Sequence, residues 1–157
     1  INFCLGGDGK NIYQSKEFKN NFNEEVKEFL TEKEVVITLK LVDELDSPFS
    51  RQIEIRRNFL SNSKKLLEIN EKPIKVKDLD SELKKLIFGY EENKPTFKQL
   101  KAKNIRDEAE RLENTVKVLG NFGKSEEYEA LYLFWLGINY PNAEQKRSLL
   151  ENKKIED

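Results

Sequence analysis

The sequence predicts an α+β fold, in which an antiparallel β-meander is flanked along the chain by helices. Three observations lead to this prediction. Apolar residues repeat at every second position over a long region only between residues 34 and 76, which is the period of a half-buried strand. Short turn-forming clusters separate the alternating runs, which favours antiparallel neighbours. The segments on either side carry apolar residues at spacings of three and four, as amphipathic helices do.

Four strands are predicted within the alternating region. The first, residues 35–42, has a large aliphatic side chain at each odd position. A Ser-Pro turn separates it from the second, residues 51–59, which alternates in the same way. The third and fourth, residues 66–69 and 74–76, flank residues 70–73, whose proline favours a hairpin loop.

A helix is predicted ahead of the sheet, between residues 15 and 31. Its apolar residues fall at spacings of four, four, three and one, so they share one face. We expect that face to lie in the core, because an aromatic stripe at helical spacing is usually buried. Its members are Phe18, Phe22, Val26, Phe29 and Leu30.

Three helices are predicted after the sheet. Asp78 is expected to cap the first, which ends at Gly89. Thr96 and Gln99 form the T-x-x-Q signature of a capping box for the second, which we expect to extend towards Leu119. The third is the most apolar helix of the chain.

This third helix is expected to begin at a Ser125 cap and to end before Gly137. Beyond it, residues 142–157 are too polar for an isolated globular helix. We interpret them as the start of a helical arm that could continue as a coiled coil, and the alternative is a frayed tail. We see no linker within residues 1–157 and therefore predict a single domain.

Composition limits the kinds of function that the chain can have. The 28 basic and 29 acidic side chains nearly cancel, so there is no global attraction to nucleic acid or to a membrane surface. The absence of histidine excludes imidazole catalysis and any His-ligated metal. The single cysteine, Cys4, excludes an intrachain disulfide, and no apolar run approaches the ~20 residues that span a bilayer. We expect a cytoplasmic protein with no metal site and no membrane partner.

The first residues predict the end of a helix. Residues 1–5 are mostly apolar and Gly6-Gly7 follows, and glycine just after an apolar turn is a common helix stop. The chain contains no methionine. We therefore expect a fragment of a longer protein, with the body of this helix upstream.

Two groups of basic residues are candidates for binding a phosphate backbone. The first group, at the end of the second strand and after the turn, is Arg56, Arg57, Lys64 and Lys65. The second group, on the predicted helix after Thr96, is Lys98, Lys101, Lys103 and Arg106. The alternative for both is a set of solvated charges on strand ends and helix faces.

Several segments together resemble the N-terminal head region of SMC-like ATPases, in the branch related to RecF, RecN and SbcC. The resemblance covers most of the chain. It rests on the segments INFCLGG at residues 1–7, EVVITLKL at 34–41, IEIRRNFL at 53–60, GYEENKPTFKQL at 89–100 and EYEALYLF at 127–134.

The resemblance implies a role within a larger machine. In that family a Walker A loop and its helix stand immediately before the FCLGG-like segment, antiparallel strands extend the nucleotide-binding core, and a coiled coil follows. The parent would use ATP and Mg²⁺ to drive work on DNA, in repair or in defence against phage. Its partners would be the rest of the head, DNA and a second copy of the parent.

This chain itself has no Walker A, Walker B or signature motif, so we expect it neither to hydrolyse ATP alone nor to hold a cofactor. The resemblance also implies a glutamine that senses the γ-phosphate through Mg²⁺ and water, and Gln99 is the candidate by its order along the chain. The competing interpretation is that Gln99 only closes the capping box.

A different class of function stays open beside the ATPase interpretation. The aromatic helix over residues 126–136 would suit a stand-alone protein-protein interaction module.

Overall fold

A computed structural model of the chain describes residues 1–14, 22–105, 112, 116–120, 123–138 and 152–153. The chain divides into two compact units, Ile1–Gly89 and Tyr90–Asp157. Among the described residues, the first unit contains a four-stranded antiparallel sheet and two α-helices. The second contains two α-helices with described bounds and further helical residues at 112, 152 and 153. The predicted α+β class is confirmed. A single domain over residues 1–157 stays a prediction.

Among the elements whose bounds the structure describes, one helix precedes the sheet and three follow it, in the predicted order. The strands are β1 (Val36–Val42), β2 (Gln52–Asn58), β3 (Leu67–Ile69) and β4 (Lys72–Pro73), paired in that order. The helices are α1 (Glu24–Glu32), α2 (Leu79–Phe88), α3 (Phe97–Asn104) and α4 (Ser125–Trp135). Of the predicted helical arm, residues 152 and 153 are helical, and the rest of 142–157 lies outside the described residues.

One face of the sheet is apolar, and we call it the inner face. The strand register places Leu39 opposite Ile55 and Ile55 opposite Ile69, so these side chains project to the same side. Ile55 is fully buried, and Leu79 and Leu83 of α2 are buried as well. Alternation along the strands thus generates the core of the first unit.

The outer face is polar and carries two ion pairs across neighbouring strands. Lys40 on β1 meets Glu54 on β2 at 3.0 Å, and Arg56 on β2 meets Glu68 on β3 at 3.0 Å. Such partly exposed cross-strand pairs each contribute about 1 kcal/mol or less to stability. The inner and outer faces therefore differ in chemistry as the alternating sequence predicts.

The last strand lies earlier in the sequence than predicted. Asn70 and Glu71 both have positive φ, 49° and 64°, which is the backbone of a two-residue hairpin turn. The predicted hairpin is therefore present, but its loop is shorter than 70–73. Pairing resumes at Lys72 and continues to Ile74, whose N–H donates to the Leu67 carbonyl at 3.0 Å, and the predicted strand is wrong at residues 75–76. A 3-10 turn, Val76–Asp78, occupies the end of the predicted strand.

The first helix is shorter than predicted, and its aromatic stripe is not a core stripe. Asn23 caps α1, its side-chain oxygen accepting a backbone N–H at 3.0 Å. Phe22 therefore stands before the helix and is 42% exposed, Phe29 is 58% exposed, and Leu30 is buried. Phe18 lies outside the described residues.

The predicted end of α2 at Gly89 is confirmed, whereas the predicted capping of its N-terminus by the Asp78 side chain is wrong. Gly89 is in the left-handed region and its N–H donates to the Lys85 carbonyl at 2.9 Å. Asp78 stands at the N-cap position but its side chain accepts no capping hydrogen bond. The reason is that a 3-10 turn leads directly into α2, so the backbone of Asp78 is already helical.

In the second unit, α3 begins as predicted and ends early. Thr96 and Gln99 form the capping box. The helix stops at Asn104 because Ile105 has an extended backbone, with φ −108° and ψ 110°, and residues 116–119 are not helical. The predicted extension to Leu119 is therefore wrong at those positions.

The last helix, α4, is present with a different start. Ser125 is its first residue rather than its cap, and the Lys124 N–H donates to the Glu127 carboxylate at 3.4 Å. The predicted stop is confirmed, since Gly137 has φ 70°. Ala130 and Leu131 are its buried residues, whereas Trp135 is 45% exposed.

Candidate functional site

The chain begins with one helical turn that a glycine pair terminates. The Leu5 N–H donates to the Ile1 carbonyl at 3.2 Å, which is the α-helical spacing. Gly6, with φ 90°, donates to the Phe3 carbonyl at 3.3 Å, and Gly7 donates to the Asn2 carbonyl at 2.8 Å. These two bonds are the pair that defines a Schellman motif. We call residues 1–7 the capped turn.

Arg57 of β2 anchors the capped turn to the inner face of the sheet. Its Nη1 donates to the Phe3 carbonyl at 2.6 Å and to the Gly7 carbonyl at 2.7 Å. Its guanidinium carbon also lies 4.2 Å from the centre of the Phe3 ring. Carbonyls at the end of a helical turn carry partial negative charge, so a cation completes the cap from outside the turn.

The guanidinium is held in a partly desolvated position. Burial lowers the pKa of Arg57 from its ordinary value, and the smaller effects of Cys4 and Asp8 oppose that change. Its Nε is buried with no hydrogen-bond partner among the described residues. Arginine nevertheless stays charged at neutral pH, and its bonds to the two carbonyls compensate part of the desolvation.

Aromatic packing fixes the far side of the capped turn. The rings of Phe3 and Phe59 are parallel and 4.2 Å apart. Gly9 packs against both, because a Cβ at that position would lie 2.7 Å from Phe3 and 3.0 Å from Phe59. Gly9 also has φ 77°, so it is needed both for space and for backbone conformation.

Cys4 of the capped turn is a core thiol. Its side chain is fully buried and its Sγ lies 3.7 Å from the Ile37 carbonyl, to which it donates. Burial raises the pKa of the Cys4 thiol above its ordinary value, and the nearby positive charge of Arg57 opposes this effect. Cys4 is therefore protonated at neutral pH and unsuited to nucleophilic chemistry.

A cleft of about 230 Å³ opens beside Arg57. Its positively charged lining residues are Arg57, Lys27 and Lys65, and its negatively charged one is Asp8. Lys27 and Lys65 are both exposed, and Lys27 lies 5.2 Å from the centre of the Phe22 ring. The other lining residues are Phe3, Tyr13, Leu30, Thr31, Asn58, Phe59 and Leu60.

The four residues of the first predicted basic group do not share one surface. Arg57 and Lys65 both line the cleft. Arg56 projects from the outer face, where it pairs with Glu68, and Lys64 pairs with Glu34 at 3.0 Å. Nucleic-acid binding by these residues stays a prediction, and the cleft brings together only two of them.

Within the second group, Lys103 lies 5.2 Å from the centre of the Tyr132 ring, Lys98 is exposed, and Arg106 lies outside the described residues. Gln99 is 8% exposed, and its Oε1 accepts the Thr96 N–H at 2.8 Å. The Gln99 N–H in turn donates to Thr96 Oγ1 at 3.3 Å. Gln99 thus performs the capping role, and its role as a nucleotide sensor stays a prediction.

The anchoring role of Arg57 was not foreseen, although the sequence contains a signal for it. Ile53 and Ile55 occupy inner-face positions of β2, and the next such position is Arg57. A charged residue in an apolar register needs a buried partner, and the partners here are main-chain carbonyls. The sequence does not reveal which carbonyls they are, because they lie 50 and 54 residues away.

No group of three or more potential metal-ligating side chains is found among the described residues. None of the described helices is long and apolar enough to cross a membrane. Comparisons with protein-family models, with curated proteins and with solved structures found no match.

Proposed function

We propose that this chain forms the sheet-bearing part of an SMC-like ATPase head, whose parent uses ATP and Mg²⁺ to act on DNA. The observation that supports the proposal is the capped turn seated on an antiparallel sheet through Arg57. The resemblance predicts a helix that ends at this sequence and strands that follow it. The helix stop and the sheet are both present in the expected order.

The geometry gives the sheet a mechanical role in this proposal. In the family, the helix that ends at the FCLGG-like segment begins at the phosphate loop. Arg57 holds the end of the capped turn against β2, and Phe59 packs on the ring of Phe3. A displacement of the helix on nucleotide binding would therefore be transmitted to β2.

Lys65 gives the proposal its candidate DNA contact. It is exposed, it lines the cleft, and it makes no ion pair within the part of the chain that the structure describes. A lysine of this kind binds phosphate as a point charge, without sequence specificity. The work on DNA, in repair or in phage defence, rests on the resemblance alone.

The reading frame around this sequence and its full-length product test the proposal. We expect the frame to encode G-x-x-x-x-G-K-[ST] ahead of Ile1 and apolar heptads after Asp157. The purified full-length product should hydrolyse ATP with Mg²⁺ and lose this activity when the Walker A lysine is replaced by alanine. A start codon directly before Ile1 with a stop after Asp157, or an intact full-length product without ATPase activity, would contradict it.

A second candidate function, a protein-protein interaction module, is favoured by the end of α4. Trp135, Leu136 and Ile138 are 45%, 71% and 50% exposed, and large apolar groups exposed side by side are common at binding surfaces. Trp135 is the single tryptophan of the chain, so its fluorescence reports directly on this surface. A blue shift on adding a partner that the variant Leu136→Ser no longer binds would support this function over the first.

A further inference from the structure

The free edge of β1 presents a regular row of main-chain donors and acceptors. β1 is the first strand in the sheet order, so only one of its edges is paired within the described residues. The Asp43 N–H donates to the Arg51 carbonyl at 3.2 Å. Because bonding alternates along an antiparallel pair, odd-numbered residues of β1 point their N–H and C=O groups at β2. Val36, Thr38, Lys40 and Val42 point theirs outward.

This edge has only one of the usual protections against pairing with another strand, a single exposed lysine. Natural edges are protected by proline, by a bulge or by an exposed lysine. β1 contains no proline, and its register with β2 is one-to-one from Val36 to Val42. Its single lysine, Lys40, has a side chain that is 62% exposed and that pairs with Glu54 on β2 at 3.0 Å. The outward row is therefore accessible to another extended backbone.

The inner face is also incompletely covered at this edge. Ile37, Leu39 and Leu41 are only partly buried, whereas Ile53 and Ile55 on the adjacent strand are buried. A further strand beside β1 would bring its own inner-face side chains against these three aliphatic residues. Burial of this exposed apolar surface would favour strand addition.

The sequence of β1 is complementary to itself in one antiparallel register. An outward residue of one copy can form hydrogen bonds only with an outward residue of the other copy. All outward residues have even numbers, so the two-fold axis must lie at a residue position and not between two residues. With the axis at Leu39, Val36 pairs with Val42 and Thr38 pairs with Lys40, each twice. All four outward residues are then used, which gives about eight hydrogen bonds.

The two neighbouring registers each leave one outward residue without a hydrogen-bonding partner, and one of them also places like charges opposite each other. An axis at Lys40 places the two Lys40 side chains opposite each other, which is destabilising, and it leaves Val36 unpaired. An axis at Thr38 leaves Val42 unpaired. With the axis at Leu39, Leu39 meets its own copy and Ile37 meets Leu41 on the inner face.

We propose that β1 pairs antiparallel with β1 of a second copy of this chain, about a two-fold axis at Leu39, to form one continuous eight-stranded sheet. The interface is isologous, so it closes as a dimer. It needs neither nucleotide nor DNA, and it is therefore independent of the proposed function.

Sedimentation and amide hydrogen exchange on the same samples test this proposal. We expect a monomer-dimer equilibrium on raising the protein concentration. As the dimer forms, hydrogen exchange at the outward amides should slow by at least about tenfold, because these amides become hydrogen-bonded to the second copy. The outward amides are those of Val36, Thr38, Lys40 and Val42. The amides of Ile37, Leu39 and Leu41 are the internal control, since they are bonded to β2 in both states. A chain that stays monomeric, or a dimer with unprotected outward amides, overturns the proposal.

The variant Thr38→Pro removes one outward N–H per copy and no bond to β2, and proline is accepted on strand edges. Thr38→Val is the matched control, because it keeps the N–H and the branched side chain. We expect the dimer dissociation constant to rise by at least about tenfold for Thr38→Pro and by less than about threefold for Thr38→Val. If Thr38→Pro does not fold, Thr38→Lys, which places like charges opposite Lys40 of the second copy, replaces it. Unchanged dimerisation in the folded variant overturns the proposal.

Discussion

Arg56 and Arg57 are adjacent in the sequence and serve opposite faces of the sheet. Arg56 meets Glu68 on the outer face at 3.0 Å, and Arg57 donates to the carbonyls of the capped turn at 2.6 and 2.7 Å on the inner face. The alternation of a strand is the cause. Two arginines that look like one basic patch in the sequence therefore have different physical roles.

Replacing Arg57 should cost far more stability than replacing Arg56. Arg57→Ala removes the guanidinium donor from the Gly7 carbonyl and from the Phe3 carbonyl, which keeps only the Gly6 N–H. It should lower the free energy of unfolding by about 2–4 kcal/mol. Arg56→Ala removes a partly exposed ion pair and should lower it by about 1 kcal/mol or less. Urea denaturation of both variants measures the difference. Equal losses would show that Arg57 does not anchor the turn.

Gly9 and Gly89 provide a matched pair for separating steric space from backbone conformation. Both have positive φ, but a Cβ at Gly9 would meet Phe3 and Phe59, whereas a Cβ at Gly89 meets nothing within 4 Å. Gly89→Ala should cost about 1 kcal/mol for the left-handed backbone alone. Gly9→Ala should cost at least about 1 kcal/mol more. Thermal unfolding of the two variants measures this, and equal costs would argue against the aromatic packing at Gly9.

Substitutions at Gln99 separate its capping role from the predicted role in sensing nucleotide. Gln99→Ala removes the acceptor of the Thr96 N–H and should destabilise the chain by about 1 kcal/mol. Gln99→Glu keeps an acceptor in the capping box, and its free energy of unfolding should stay within about 1 kcal/mol of that of the unsubstituted chain. If Gln99 also senses the γ-phosphate, Gln99→Glu in the full-length ATPase should lower ATP turnover while the fold remains intact. Unchanged turnover would leave Gln99 with the capping role alone.

The Cys4 thiol should make stability fall at alkaline pH. Its pKa in the folded chain is raised above the ordinary 9.0 by burial, so the unfolded chain loses this proton first and binds fewer protons. Stability is then complete below about pH 9 and decreases above it, by at most about 1.4 kcal/mol per pH unit, until the folded thiol ionises. Urea denaturation at several pH values should show a shallower decline for Cys4→Ala. Parallel declines would contradict the buried thiol.

Lys65 and Lys64 allow a test of DNA binding on neighbouring lysines. Lys65 lines the cleft, and Lys64 is already paired with Glu34. If Lys65 contacts phosphate, Lys65→Ala should reduce the slope of log affinity against log salt by about 0.9, and Lys64→Ala should change it less. Fluorescence anisotropy with a labelled duplex measures both slopes. A weak affinity that does not change with salt, both for the unsubstituted chain and for the two variants, would contradict a DNA contact at the cleft.

Elements whose signals are local were predictable. The Thr96–Gln99 capping box, the stop at Gly89 and the alternation of β1 each depend on residues within a few positions of one another. The prediction of β4 failed for a local reason as well, since Asn70 and Glu71 both adopt positive φ. Glutamate rarely does so, and the predicted loop is therefore two residues too long.

The sequence by itself determined the α+β class, the order of its elements and the polarity of the two sheet faces, because these follow from periodicity and from capping residues along the chain. Only the tertiary structure decided that Arg57 binds the carbonyls of Phe3 and Gly7, and that Phe22 and Phe29 are exposed. The physical reason is that burial and hydrogen bonding between distant segments depend on which surfaces meet. That information lies in the packing of the whole unit and not in any single stretch of residues.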